Sequence, residues 1–163
     1  MPIQKTPEGT YGTEMPGGKF LARLLEPLAK RQIDSYRKTG GNSRMFRMMK
    51  RPIVLVTTKG ARSDLERTVT LNGFADGEDA WLVVAPNSGA ATHPAWFLNM
   101  VNHPDDIWLE VGSRKMKVSG DSLTGREREE AYALVTNVVK QYAGYVKKTD
   151  REIPVVRLTR LSG

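Results

Sequence analysis

Apolar positions along this 163-residue chain change spacing in a way that separates helices from strands. From about Lys19 to Lys38, Phe20, Leu21, Leu24, Leu25, Leu28, Ile33 and Tyr36 mostly keep the spacing of one helical face. Lys19, Arg23, Lys30, Arg31, Arg37 and Lys38 make the other face basic, and Gly40-Gly41 supplies the C-terminal stop. Pro27 is expected to kink or divide this helix, since proline lacks the amide proton and its ring crowds the preceding turn. After a short Met/Phe segment (Met45, Phe46, Met48, Met49) the pattern turns to β. Residues 52–58 are a β-branched run bounded by Gly60, and residues 66–74 read as a second strand. Asp76-Gly77 is a turn signal ahead of a strand over 81–85. Pro94 suits the first turn of a short helix reaching Val101, and strands over 106–111 and 115–119 flank the hairpin turn Gly112-Ser113.

Thr124-Gly125-Arg126-Glu127 has the form of a capping box, opening a helix whose face is Ala131, Leu134, Val135, Val138, Val139 and Tyr142. A last strand covers 153–161. This succession predicts a mostly β, α+β chain: an antiparallel barrel with an N-terminal helix, a short inserted helix and a helix in the C-terminal half. Residues 1–17, with Pro2, Pro7, Pro16 and three glycines, read as a flexible arm, and 18–163 as a single domain.

Composition narrows the chemistry. At 39% hydrophobic and 26% charged residues the chain falls among globular proteins rather than disordered ones. The absence of cysteine excludes disulfides, thiol redox chemistry and thiolate metal sites. Only His93 and His103 are present, without a carboxylate at ligand spacing, so no metal is expected. A net charge of +7 concentrates anions near the surface without naming them. No apolar run reaches the roughly 20 residues of a membrane span, and the first residues lack the apolar core of a signal peptide, so a cytoplasmic location is expected.

Side chains able to do chemistry alone are scarce: there is no nucleophile elbow, no cysteine nucleophile and no His-Glu-x-x-His. An enzyme with this inventory needs a cofactor, which the protein binds and orients. The candidate binding element is Thr57-Thr58-Lys59-Gly60-Ala61-Arg62-Ser63 followed by Arg67, where a strand ends and glycine, lysine, arginine and serine offer phosphate donors. Composition alone favours the blander reading of a solvated turn with basic decoration. Trp96 on the short helix is equally suited to core packing, His93 reads as a cap or a satisfied hydrogen-bonding group, and Tyr142 and Tyr145 on their own read as packing or interface residues.

Three blocks change that balance. Residues 54–63 with Arg67 and Leu71 resemble the glycine-rich loop of the deazaflavin-dependent nitroreductase family of actinobacteria. His93-Pro94-Ala95-Trp96-Phe97-Leu98-Asn99-Met100 resembles that family's His-Pro-x-Trp-aromatic-Leu-Asn-Leu segment, and Tyr142-Ala143-Gly144-Tyr145 with Thr149–Val156 resembles its C-terminal end. The resemblance, over residues 45–157, implies the split β-barrel of flavin-reductase relatives and coenzyme F420, an 8-hydroxy-5-deazaflavin carrying a phosphate and an oligoglutamate tail. On matching positions it implies that Lys59, Gly60, Arg62, Ser63 and Arg67 hold phosphate and carboxylates, that Trp96 and Asn99 line the cofactor groove, and that Tyr142 and Tyr145 border the acceptor pocket as catalytic groups. Asn87 and Ser88 stand in the cofactor loop where relatives carry a lysine, Ala61 replaces a basic residue, and Val139 stands where a third tyrosine occurs.

The implied activity is hydride transfer from reduced F420 to quinones, activated enones or lactones, or nitroaromatics. The alternatives are an FMN-binding split-barrel reductase and a non-enzymatic binder of anionic cofactors or membrane surfaces. The expected partners are a small-molecule acceptor and peripheral membrane contact through the basic amphipathic stretch 19–38. Nucleic acid is not expected, because aromatics are not interleaved with the basic residues. A monomer or a homodimer fits equally.

Overall fold

The computed structural model describes residues 2–14 and 18–163. Its strands are β1 (Ile53–Lys59), β2 (Glu66–Asn72), β3 (Phe74–Ala75), β4 (Ala80–Val84), β5 (Ile107–Val111), β6 (Arg114–Ser122) and β7 (Val155–Arg160). They form one antiparallel sheet in the order β2-β1-β5-β6-β7-β4-β3. The two edge strands, β2 and β3, are consecutive in sequence and separated only by Gly73, whose amide donates to Pro52 O at 2.8 Å. The single strand expected over 66–74 therefore bends at Gly73 and joins one edge of the sheet to the other. The sheet curls into a split β-barrel, as the resemblance implies.

Period-two alternation sorts the core. Val54, Val56, Trp81, Val83, Ile107 and Leu109 fill the barrel interior with Phe97 and Met100 of α3 (Ala95–Asn102). The intervening Leu82 and Val84 face outward and pack on Ala131, Val135 and Val139 at α4 (Gly125–Val138). Leu55 also points outward, under Tyr36 of α1 (Gly18–Thr39) and Phe46 of α2 (Arg44–Met49). Strands with both faces covered lose their alternation of polar and apolar residues, which explains the continuous apolar run of β1.

Several expectations are corrected. Pro27 lies inside α1 without dividing it. The Met/Phe segment is helical, with Ser43 Oγ accepting from the Phe46 amide. The capping box does not close: Thr124 makes no side-chain cap, and Glu127 is committed to Arg157 at 2.6 Å instead of reaching back. The helix expected to run to Tyr142 stops at Val138, and a separate turn, α5 (Tyr142–Tyr145), follows. The last strand begins at Val155.

The arm expected to be flexible is laid along the barrel over residues 2–14. Pro2 bridges Asp121, Ile3 enters the barrel cluster, the Gly9 amide donates to Ala91 O at 2.8 Å and the Thr13 amide to Gly89 O at 2.9 Å. Thr10 and Tyr11 donate to the Asp150 carboxylate. A Cβ at Gly12 would run into the backbone nitrogen of Ala91, so this glycine serves close approach, not mobility. Met1 and residues 15–17 of the expected arm, including Pro16 and Gly17, lie outside the described residues.

Candidate active site

The turn after β1 is tight and pre-formed. Gly60 N donates to Leu65 O at 2.8 Å, Asp64 N donates to Gly60 O at 2.9 Å, and Ser63 Oγ accepts from the Leu65 amide. A Cβ at Gly60 would stand 2.5 Å from Ser63 Oγ, so a larger residue would displace the serine. Helix α3 ties this turn down through one side chain. Asn99, 7% exposed, accepts from Ala61 N at 2.9 Å and donates to Thr58 Oγ1 at 3.2 Å.

A cleft of about 930 Å³ opens beside the turn. Gly60, Arg62, Ser63 and Arg67 form one side, Trp96 and Asn99 the floor, and Lys30, Ile33 and Arg37 of α1 the far wall. Among the described residues neither Arg62 nor Arg67 has an ion-pair partner, and both line the cleft with Lys30 and Arg37 against the carboxylates of Glu26, Asp34 and Glu66. Arg37 is held by Glu110 in a fork of 2.9–3.3 Å, which raises its pKa. Lys59 departs from expectation. Its ammonium sits 2.8 Å from Asp106 Oδ2 and does not line the cleft. That pair raises the lysine pKa and lowers the aspartate's. The physical reason is the ion pair: Asp106, one residue before β5, draws the ammonium away from the cleft.

A second cavity of about 520 Å³ lies beyond Trp96, and Trp96 and Val69 line both. Its walls are Leu71, Asn72, Val84, Asn87, Ser88, Tyr142 and Tyr145. Tyr142 is buried, its phenol oxygen accepts from Asn72 Nδ2 at 3.0 Å, and Phe74 and Tyr145 meet its ring edge-on. Burial raises the Tyr142 pKa, and the Asn72 donor partly offsets this. Tyr132 donates to Tyr142 O at 2.6 Å, and burial pushes its own pKa up to about 12.

Asn87 and Ser88 sit on the rim in left-handed conformation, φ 45° and 55°. The buried Arg151 holds their loop, donating to Pro86 O at 2.8 Å, Ala90 O at 3.0 Å and Ala85 O at 3.2 Å, with no carboxylate opposite. Its remaining contact is His93 Nδ1 at 2.9 Å, while His93 Nε2 lies 2.8 Å from Thr6 O. Only a neutral imidazole fits, with Nδ1 accepting and Nε2–H donating, and burial lowers the His93 pKa accordingly. His93 is thus a satisfied hydrogen-bonding group at the seam between arm and loop.

The structure brings Gly60, Arg62, Ser63, Arg67, Asn87, Ser88, Trp96, Asn99, Tyr142 and Tyr145 to two neighbouring cavities that share Trp96 and Val69, and leaves Lys59 aside. Sequence reasoning missed Asn72, Lys30, Arg37 and Arg151. Basic residues on α1 were visible, yet nothing local indicated that this face covers a cleft.

A split barrel with a cleft that is cationic at one end and aromatic at the other is the build of a protein that seats a long anionic coenzyme. The pattern of the F420H(2)-dependent quinone reductase family matches residues 28–160, and the chain belongs to that family. It is 33% identical over 114 residues to an F420H(2)-dependent quinone reductase of Mycobacterium tuberculosis, covering 67% of this chain and 74% of that protein. A solved F420-H2 dependent reductase, FDR-A, aligns with TM-score 0.60 and 35% identity over 66% of this chain and 94% of its own. Another solved chain, described as a domain-swapped dimer, aligns with TM-score 0.62 and 29% identity over 85% and 98%. Family membership makes this chain an oxidoreductase with coenzyme F420 as its cofactor.

Proposed function

We propose that this chain transfers hydride from reduced F420 to quinones, with activated enones or lactones and nitroaromatics as further acceptor classes. The observation that carries this reading is the pair of neighbouring cavities that share Trp96 and Val69 as lining, with unpaired Arg62 and Arg67 in one and two tyrosines in the other. The donor set suits the coenzyme: guanidinium groups and the Ser63 hydroxyl match phosphate and tail carboxylates, and Trp96 with Val69 offers apolar surface to a flat ring. When bound, the reduced coenzyme supplies a hydride, two electrons with one hydrogen nucleus.

The chain's own part is positioning and proton delivery. Arg62, Arg67 and Ser63 anchor the anionic end, and Trp96 fixes the depth at which a ring can lie. Holding donor and acceptor in contact can account for about 7–11 kcal/mol of a barrier. Tyr142 and Tyr145 orient the acceptor. One phenol O–H bond breaks as a new one forms on the acceptor oxygen, and the phenol is reprotonated by water.

Reaching a lipid-soluble quinone calls for contact with a membrane surface. Phe20, Leu24 and Leu28 on α1 and Met48 on α2 are 64–76% exposed, beside Arg23, Arg31, Arg44 and Arg47. No described helix is long and apolar enough to cross a membrane. A peripheral anchor on the cytoplasmic face is therefore part of the proposal. Vesicles containing one-third anionic lipid should sediment the protein, and Leu24→Glu with Leu28→Glu should release it. Salt-insensitive self-association without vesicle binding would instead assign this face to a second copy.

The reading is tested by mixing purified protein with reduced F420 and menadione. Oxidation of the coenzyme at a protein-dependent rate is expected. Tighter binding of FMN than of F420 would sink it.

A further inference from the structure

Asn72 closes β2, paired in register with Ile53, and its side chain lines the acceptor cavity. Its amide nitrogen donates to the phenol oxygen of Tyr142 at 3.0 Å. A phenol has one proton, and a phenol oxygen that accepts from Asn72 must point that proton elsewhere. Among the described residues no acceptor for the Tyr142 hydroxyl proton is found. Tyr132 directs its hydroxyl to Tyr142 O, Arg51 is held by Gln141 Oε1 at 2.9 Å, and Tyr145 meets the ring by its edge. The open direction is the cavity.

We propose that Asn72 is a positioning residue for the reduction: it turns the Tyr142 proton toward the acceptor oxygen and stabilises the phenolate oxygen left when that proton departs. This rests on the reading of Tyr142 as a proton donor. The Oη–H bond breaks, an O–H bond forms on the acceptor that has taken the hydride, and water returns the proton to Oη. Asn72 itself exchanges nothing. Its N–H already points at the atom on which negative charge develops, so the bond strengthens along the step.

The test uses the full chain with reduced F420 and menadione. Asn72→Leu removes the donor, and Asn72→Asp keeps the shape but offers an acceptor that draws the Tyr142 proton away from the cavity. Both should lower kcat by about tenfold to a hundredfold, with F420 affinity within threefold of the parent and a larger solvent deuterium effect on kcat. In a Tyr142→Phe background neither should lower kcat further. If Asn72→Asp keeps the parental kcat, or if Asn72→Leu costs the same factor with and without the Tyr142 hydroxyl, Asn72 does not act through Tyr142 and the inference is overturned. Parental kcat in Tyr142→Phe alone would overturn the proton-donor reading, and this inference with it. Where Asn72→Leu does not fold, Asn72→Asp decides alone.

Discussion

Asn99 ties the phosphate-side turn to α3, and Asn99→Leu isolates that tether. The substitution keeps most of the volume but removes two hydrogen bonds, at 2.9 Å to Ala61 N and 3.2 Å to Thr58 Oγ1. Thr58 is 1% exposed, so its hydroxyl would be left unsatisfied in the interior, at about 1–3 kcal/mol. The Ala61 amide lies at the surface and regains water, adding little. Stability should therefore fall by about 1–3 kcal/mol, or about 2–12 °C in Tm for a chain of this size. The second effect is functional. With Ala61 released, Arg62 and Ser63 must be ordered when the coenzyme binds, at about 1–2 kcal/mol for each backbone unit fixed. For the two units together, F420 affinity should weaken about 30- to 700-fold. Thermal melting followed by circular dichroism gives the first quantity and fluorimetric titration with F420 the second. A weaker Kd at unchanged Tm would mean that Asn99 touches the coenzyme directly, and a lowered Tm at unchanged Kd would mean that the turn needs no tether. Either result refutes the tether.

Arg62→Ala and Arg67→Ala should each weaken F420 binding about 5- to 30-fold at low salt and less at 0.5 M salt, whereas Lys59→Ala should stay within twofold because that ammonium is paired with Asp106. Titrations at the two ionic strengths check all three. Arg151→Met strands three buried carbonyls and His93 Nδ1, and should cost about 3–4 kcal/mol, seen as a Tm lower by about 6–16 °C. Because the folded state lowers the His93 pKa, the unfolded chain binds more protons between the ordinary value of 6.5 and the depressed one. Stability should hold above that range and decline as pH falls through it. A melting series from pH 7.5 to 4.5 should show this decline, reduced in His93→Gln.

The strands were readable because β-branched and apolar residues run together between turn signals. Residues 53–59 and 107–111 carry their assignment in residue type alone, and a glycine turn between 111 and 114 leaves little freedom. The expected capping contact failed where a distant partner outbid a local motif, although the helix starts where the motif placed it. Glu127 had the local signal of a cap, but Arg157, thirty residues away, took its carboxylate. The residues of the turn and of α3 fall at one cleft because a β-turn and an eight-residue helix keep them close. Lys59 misled because a charge beside a loop says nothing of its direction. Asn72 and Arg151 were invisible: each acts through a contact 58 or more residues away along the chain, with no pattern around it. α1 inverts the usual rule, since its apolar residues from Phe20 to Leu28 face outward while Lys30 and Arg37 face the cleft.

The strap formed by residues 2–14 has a consequence for how the molecule is assembled. Gln4 meets Ser122, Thr10 meets Asp150 and Thr6 meets Glu152, separations of 118, 140 and 146 residues. The strap is therefore made well before its partners and must wait for 118 to 146 further residues before it finds a place. Until then the seat of Ile3 between β6 and the barrel interior stays open to water. Closing the strap is the natural last event of folding.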